Sequence, residues 1–282
     1  MYLFLILFSK LPLKLIQQFA KKIGAFLYIS NSSALKTTRN NIDIAFPHLE
    51  ERDKESLVLS SLKSQCMTYS ESIKIWGAST QFSLDQIKNV HGLDIFLEAL
   101  QNPNGTLAAV PHFGTWEIMN AWVNQYTSPF IMYKPDKNEA LNKFVLKARQ
   151  RLNATLVPTD ESGVRALFKH IKQGGFSAIL PDHVPKESGG IYSPFFNINT
   201  LTSTLFSKLA AKTQCSVIGM YCLRRDDLSG FDLYINDLSK DILSKDLQQS
   251  VNTLNKEIEQ IILSAPEQYL WGYKRFRKSI PT

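Results

Sequence analysis

In the stretch AAVPHFGTWEIMNAW, residues 108–122, a histidine and a carboxylate, His112 and Glu117, stand five positions apart across a proline and a glycine. An imidazole titrates near neutral pH and can take a proton from a hydroxyl once a carboxylate has fixed its tautomer. Residues five apart on one continuous helix point about 140° away from each other at 3.6 residues per turn. The two side chains therefore meet only if His112 lies outside the helix. Pro111 and Gly114 supply that break, and Thr115 is placed to cap a helix with Glu117 in its first turn. The expected arrangement is a general base, His112, oriented by Glu117, without a protein nucleophile; the nucleophile then belongs to the substrate. The same residue types also fit a histidine packed in a turn beside a solvated glutamate, and the surrounding elements bear on the choice.

Residues 106–110 read as a short apolar strand that ends just before His112, and 115–125 as the helix that follows. Further strands are predicted at 130–133, 155–157, 177–180, 216–223 and 231–235, with helices at 138–152, 163–173, 202–213 and 247–264 between and after them. Upstream, 51–76 reads as a long helix with acidic residues at its start. A short helix at 93–101 is stopped by Asn102-Pro103-Asn104-Gly105. Alternating strands and helices predict an α/β fold, a layered mixed sheet flanked by helices. In such sheets reactive groups gather beyond the carboxyl ends of the strands, where His112 sits.

The net charge of +7 belongs to the ends of the chain. Residues 1–42 hold Lys10, Lys14, Lys21, Lys22, Lys36 and Arg39 and no acid, and the last nine residues add Lys274, Arg275, Arg277 and Lys278. An anionic membrane surface or phosphorylated ligand fits this distribution. Nucleic acid does not, since no nucleic-acid-binding motif accompanies the charge. Residues 1–30 open on eight apolar residues, but lysines at 10, 14, 21 and 22 interrupt the run of about 20 that a spanning helix needs. Leu15, Phe19, Ile23 and Phe26 recur at helical spacing, so the segment reads as an N-terminal membrane-associated helix lying in the interface, ahead of a single domain over 31–282. Three cysteines without CxxC spacing, and no metal-ligand spacing elsewhere, lead us to expect neither a disulfide framework, a metal nor a cofactor.

The His-x4-Glu pair resembles the motif of the lysophospholipid acyltransferase superfamily, and several further stretches resemble the bacterial lipid A late acyltransferases within it. These are NNIDIAFP at 40–47, MYKPDKN followed by LKARQR, GVRALFKHIKQGG followed by LPDHVPKESGGIYSPFF, and APEQYLWGYKRFRK at 265–278. They occur in order over nearly the whole chain. The resemblance implies transfer of a fatty acyl group from acyl carrier protein, or acyl-CoA, to a hydroxyl of a Kdo-bearing lipid A precursor at the cytoplasmic face of the inner membrane. It implies that His112 is the base, Glu117 its partner and Arg149 a functional arginine. Asp182-His183-Val184 departs from the family pattern, which leaves the role of that loop open; Asp182 is taken as a site residue by analogy.

For substrate binding the candidates are Arg149, Asp182, Lys134, Lys274, Arg275 and Arg277, the last three interleaved with aromatic residues that would pack while the cations face lipid phosphates or an acidic carrier. Arg151 competes with Arg149 as a plain helix charge. Other readings are an acyltransferase acting on another glycolipid or glycerophospholipid, and a catalytically silent membrane-surface protein that binds acyl carrier protein. A lipid esterase would need a G-x-S-x-G elbow, which the chain lacks.

Overall fold

The apolar run after Gly105 forms the middle of a seven-stranded sheet because both of its faces are covered. Leu107 and Ala109 enter one core layer, Ala108 and Val110 the other, the two-residue period of a strand buried on both sides. The computed structural model describes residues 1–196 and 198–280; Asn197, Pro281 and Thr282 lie outside the described residues. The helices are α1 (Tyr2–Lys10), α2 (Leu13–Ile29), α3 (Ser33–Ala45), α4 (Glu51–Gly77), α5 (Thr80–Gln86) and α6 (Leu93–Leu100). They continue with α7 (Met119–Val123), α8 (Glu139–Gln150), α9 (Glu161–Lys172), α10 (Leu205–Thr213) and α11 (Leu247–Leu263). The strands are β1 (Ile87–His91), β2 (Thr106–Ala109), β3 (Phe130–Tyr133), β4 (Thr155–Pro158) and β5 (Phe176–Ile179). After them come β6 (Gly190–Phe195), β7 (Ile198–Ser203), β8 (Ser216–Arg224), β9 (Phe231–Asp237) and β10 (Ser279–Ile280).

The large sheet runs β1-β9-β8-β2-β5-β3-β4 and is mixed: β8, β2, β5, β3 and β4 are parallel and β9 is antiparallel to β8. The α/β expectation of a layered mixed sheet flanked by helices describes this architecture. A second, antiparallel sheet, β10-β7-β6, carries the end of the chain. That small sheet corrects the helix expected at 202–213, which begins only at Leu205. Thr200 and Thr202 extend as strand residues because their hydroxyls bond to Arg275 and Asn255. Between the helices expected at 51–76 and 93–101 the chain forms α5 and β1.

The N-terminal segment is two helices, not one, bent by 116° at Leu11 and Pro12. No single helix among the described residues is long and apolar enough to cross a membrane. α2 packs on α4 through Ile16, Gln17, Ala20 and Gly24. A Cβ at Gly24 would meet the Lys63 Cα at 2.5 Å, so the helices touch backbone to backbone there. The larger apolar side chains point the other way. Leu3, Phe4, Leu7, Leu15, Phe19, Phe26 and Ile29 are all more than half exposed, an outward apolar face that a protein surface in water rarely presents.

Candidate active site

Three neighbouring parallel strands deliver the site. β2 leads to His112, β5 to Asp182 and β3 to Lys134, each just past a carboxyl end. The β2–β5 register pairs Ala109 with Ile179, so the same step beyond each strand brings residue 112 beside residue 182. Asp182 takes both donors of His112: Oδ2 accepts the backbone N–H at 2.9 Å, and Oδ1 lies 2.9 Å from ring Nδ1. With Nδ1 carrying the proton, Nε2 is the free acceptor.

This corrects the expected partner. Glu117 makes no hydrogen bond to His112; its Oε1 pairs with the Arg149 guanidinium at 3.0 Å and its Oε2 accepts from Trp76 Nε1 at 2.9 Å. The reason is local. The expected helix over 115–125 is a 3-10 turn at Trp116–Ile118 followed by α7. Thr115 does not cap it, because its hydroxyl donates to Glu71. Glu117 is thereby turned toward α4 and α8, though it still lines the cleft that His112 faces.

Burial drives the two groups of the pair in opposite directions from their charge interaction. Burial lowers the His112 pKa, but the Asp182 charge and hydrogen bond, with Glu117 behind them, outweigh it and hold the imidazole above its ordinary 6.5. Burial raises the Asp182 carboxyl, whereas the His112 charge and the two hydrogen bonds from His112 lower it by more, to about 2. Asp182 is 2% exposed and His112 27%: the acid is sealed behind the ring, and the ring opens onto a cleft.

That cleft, of about 360 Å³, runs between the strand ends and α7. Its walls are mostly apolar, with Val110, Met119, Ile131, Phe176, Leu180 and Met220 among them, and they continue one of the two core layers outward. Trp116 stands edge-on to the His112 ring at 5.1 Å. Arg149 and Lys134 line the same cleft. Arg149 rests on the Tyr133 ring and its Nε has no hydrogen-bond partner among the described residues. Arg151 instead donates to the carbonyls of Trp76 and Ala78 where α4 ends.

The loop that carries His112 is held by the C-terminal segment. Leu270 N–H donates to the His112 carbonyl and Gly114 N–H to that of Gln268, each at 3.0 Å. Gly114 has φ +61°, and a Cβ there would lie 2.1 Å from the Cys222 carbonyl oxygen, so only glycine fits this turn. Asn41 ties the 40–47 stretch to the same segment by donating to the carbonyls of Trp271 and Tyr273. Arg275, expected to bind substrate, is a structural cation: 1% exposed, it donates to Leu201 O and Thr202 Oγ1 and stacks over Phe195. Lys274 and Arg277 are exposed.

Missing from the expected site is Glu71. Wholly buried in the C-terminal part of α4, it accepts from Gln17 of α2, from Thr115 in the His112 loop, and twice from Arg224. Nothing in its helical position distinguishes it from a surface acid; only the other apolar neighbours of α4 hint at its burial.

An imidazole with a buried acid behind it and an apolar trench in front is suited to deprotonating an alcohol beside a bound alkyl chain. Matching this chemistry, the family model for bacterial lipid A biosynthesis acyltransferases covers residues 1–278. The chain belongs to that family. It is similar to a lipid A biosynthesis palmitoleoyltransferase of Escherichia coli (strain K12), 24% identical over 96% of this chain and 88% of that protein. It is also similar to a lipid A biosynthesis lauroyltransferase of the same organism, 22% identical over 95% and 87%. A lipid A biosynthesis acyltransferase of Haemophilus influenzae is 24% identical over 95% of this chain and 83% of that protein. The chain is accordingly an enzyme, an acyltransferase of lipid A biosynthesis.

Proposed function

We propose that the enzyme moves a fatty acyl group from a thioester donor, acyl carrier protein or acyl-CoA, to a hydroxyl of a lipid A precursor, with His112 as general base and Asp182 as the residue that positions it. The observation that carries this reading is the His112–Asp182 pair facing an apolar trench. Nε2 takes the proton of the acceptor hydroxyl as its oxygen bonds to the thioester carbon. The oxyanion collapses, the C–S bond breaks, and the thiolate leaves with the proton returned by the imidazolium. No acyl-enzyme forms. Arg149, held at the cleft wall by Glu117, puts positive charge where the oxyanion develops, and the trench takes the alkyl chain. Lys134, at the rim, faces the headgroup side of either substrate.

In this reading the outward face of α1 and α2 lies in the lipid interface at the cytoplasmic side of the inner membrane, with Lys10, Lys14 and Lys22 among anionic headgroups. Residues 1–30 are then the anchor and 31–282 the acyltransferase domain. The test is transfer by the purified protein in mixed micelles containing the lipid A precursor, with product mass read by mass spectrometry and both donors compared. One added acyl chain is expected from wild type and none from folded His112→Ala. Full activity in that variant would remove His112 from the mechanism.

A further inference from the structure

A second concavity, of about 270 Å³, opens between α3 and the C-terminal segment. Three cations converge on it, Lys36 from α3 and Lys274 and Arg277 from the chain end, with Thr37 and Asn40 as neutral donors. No carboxylate lines it among the described residues. Lys36 and Lys274 have no ion-pair partner among the described residues, while Arg277 donates only to the Val184 carbonyl, at 3.3 Å. The next cation along, Lys278, is by contrast neutralised by Glu187 at 2.9 Å. Uncompensated like charges around one hollow repel each other, and an anion bound there relieves the repulsion.

Two features fix what kind of anion. The Arg277 guanidinium lies 6.0 Å from the centre of the Tyr273 ring, and the His112 ring lies 6.3 Å from that same centre. The guanidinium and the imidazole are therefore within about 12 Å of each other, a span that a disaccharide headgroup bridges. The α3 wall begins four residues beyond Ile29, the last residue of the outward apolar face. An anionic group reaching this hollow from the lipid side thus belongs to an amphiphile, and a hollow this small seats one such group rather than a carrier protein's helix.

We propose that Lys36, Lys274 and Arg277 bind a phosphate of the acceptor glycolipid while its hydroxyl is at His112. This rests on the acyltransferase reading above and adds to it the site that selects a phosphorylated acceptor. The test is steady-state transfer in neutral detergent micelles by wild type, Lys36→Glu, Lys274→Glu and the double variant, with Tm measured on each. Each single variant is expected to raise the acceptor KM about ten-fold, the ratio that 1.4 kcal/mol gives, and the double variant further, with the donor KM and the kcat at saturating acceptor little changed. Enzymatically dephosphorylated acceptor should raise the wild-type KM similarly and add nothing to the double variant. An unchanged acceptor KM in the variants overturns the proposal. A rise confined to the donor KM does so too, and reassigns the pocket to the carrier. So does an effect seen only in binding to anionic phospholipid vesicles, which reassigns it to the bilayer. Absence of transfer by wild type itself would count against the acyltransferase reading instead.

Discussion

Replacing Asp182 by asparagine keeps the shape of the side chain but exchanges one oxygen for an NH2 group. Both oxygens are in use, on the His112 backbone N–H and on Nδ1, each at 2.9 Å. The backbone N–H has no other acceptor among the described residues, so the remaining oxygen stays with it. The NH2 group then faces Nδ1, which must become the acceptor, and the ring proton moves to Nε2. That nitrogen is the one facing the cleft, so the base is lost rather than weakened. The expected fall in kcat is roughly 10³–10⁴-fold, the scale of general-base catalysis and of the equivalent inversion in a Ser-His-Asp triad. The pH profile carries the sign. In the proposed mechanism His112 must be neutral to act, and its pKa is held above the ordinary 6.5 chiefly by Asp182 against the pull of burial, so the acid limb of kcat/KM is expected above 6.5. Without the carboxylate, burial dominates and the limb of the residual activity moves down in pH. Glu117→Gln is the comparison: it loosens Arg149 and lowers kcat, and moves the acid limb down by less than Asp182→Asn does, because the Glu117 charge supports the His112 pKa less than Asp182 does. The assay is initial-rate transfer across the neutral range on proteins of matched Tm. If Asp182→Asn kept wild-type kcat, or if Glu117→Gln moved the acid limb and Asp182→Asn did not, the imidazole would be paired with Glu117 in the working enzyme and Asp182 would lose its positioning role.

Three further outcomes are expected. Gly114→Ala forces a side chain into the left-handed region, which costs about 1–2 kcal/mol, and pushes a Cβ against the Cys222 carbonyl; thermal unfolding should shift down and transfer should fall with it, whereas wild-type values for both would mean the loop is not held there. Glu71→Gln strips the charge from a buried pair with Arg224 and should cost about 3–5 kcal/mol, roughly 10 °C in Tm; a shift within a degree would mean the pair contributes little. Leu15→Asp with Phe19→Asp, both on the outward face of α2, should abolish co-flotation with anionic vesicles and leave Tm nearly unchanged; undiminished flotation would place membrane binding elsewhere.

How far the site is legible in the sequence depends on which dimension carries the information. Along the chain the pattern marks β2, β5, α8 and α11 closely: α8 and α11 bury one face at helical spacing, and β2 and β5 are short apolar runs buried on both faces. Across the sheet it cannot say which strand lies beside which. Chain proximity matches Glu117 to His112, yet the true partner lies 70 residues on. A signal is present nonetheless: residues 106–112 and 176–182 share one form, a four-residue strand, one more apolar residue, a proline and then the reactive group. Two parallel strands in register set those groups side by side at the spacing of neighbouring strands, about 4.8 Å. Arg275 misleads for the opposite reason. Charge counting groups it with Lys274 and Arg277, but its burial depends on Thr200 and Thr202 in a hairpin whose strands show no clear alternation of apolar and polar residues.

The buried polar contacts connect the N-terminal helices, with their outward apolar face, to the His112 loop. Gln17 lies on the packed side of α2, opposite the outward stripe, and donates to Glu71 at 2.7 Å; the Thr115 hydroxyl donates to the other oxygen of the same carboxylate at 2.7 Å. One acid thus ties α2 to the loop between His112 and Glu117, while Arg224 neutralises it. A buried carboxylate with four donors tolerates little displacement, since any lost bond leaves a desolvated charge. The position of α2 and the direction in which His112 points are therefore set by one rigid unit. If the outward face of α2 is the anchor proposed above, the buried acid lies directly under it, and the proposed base is held at a fixed height above the interface from which a lipid acceptor arrives.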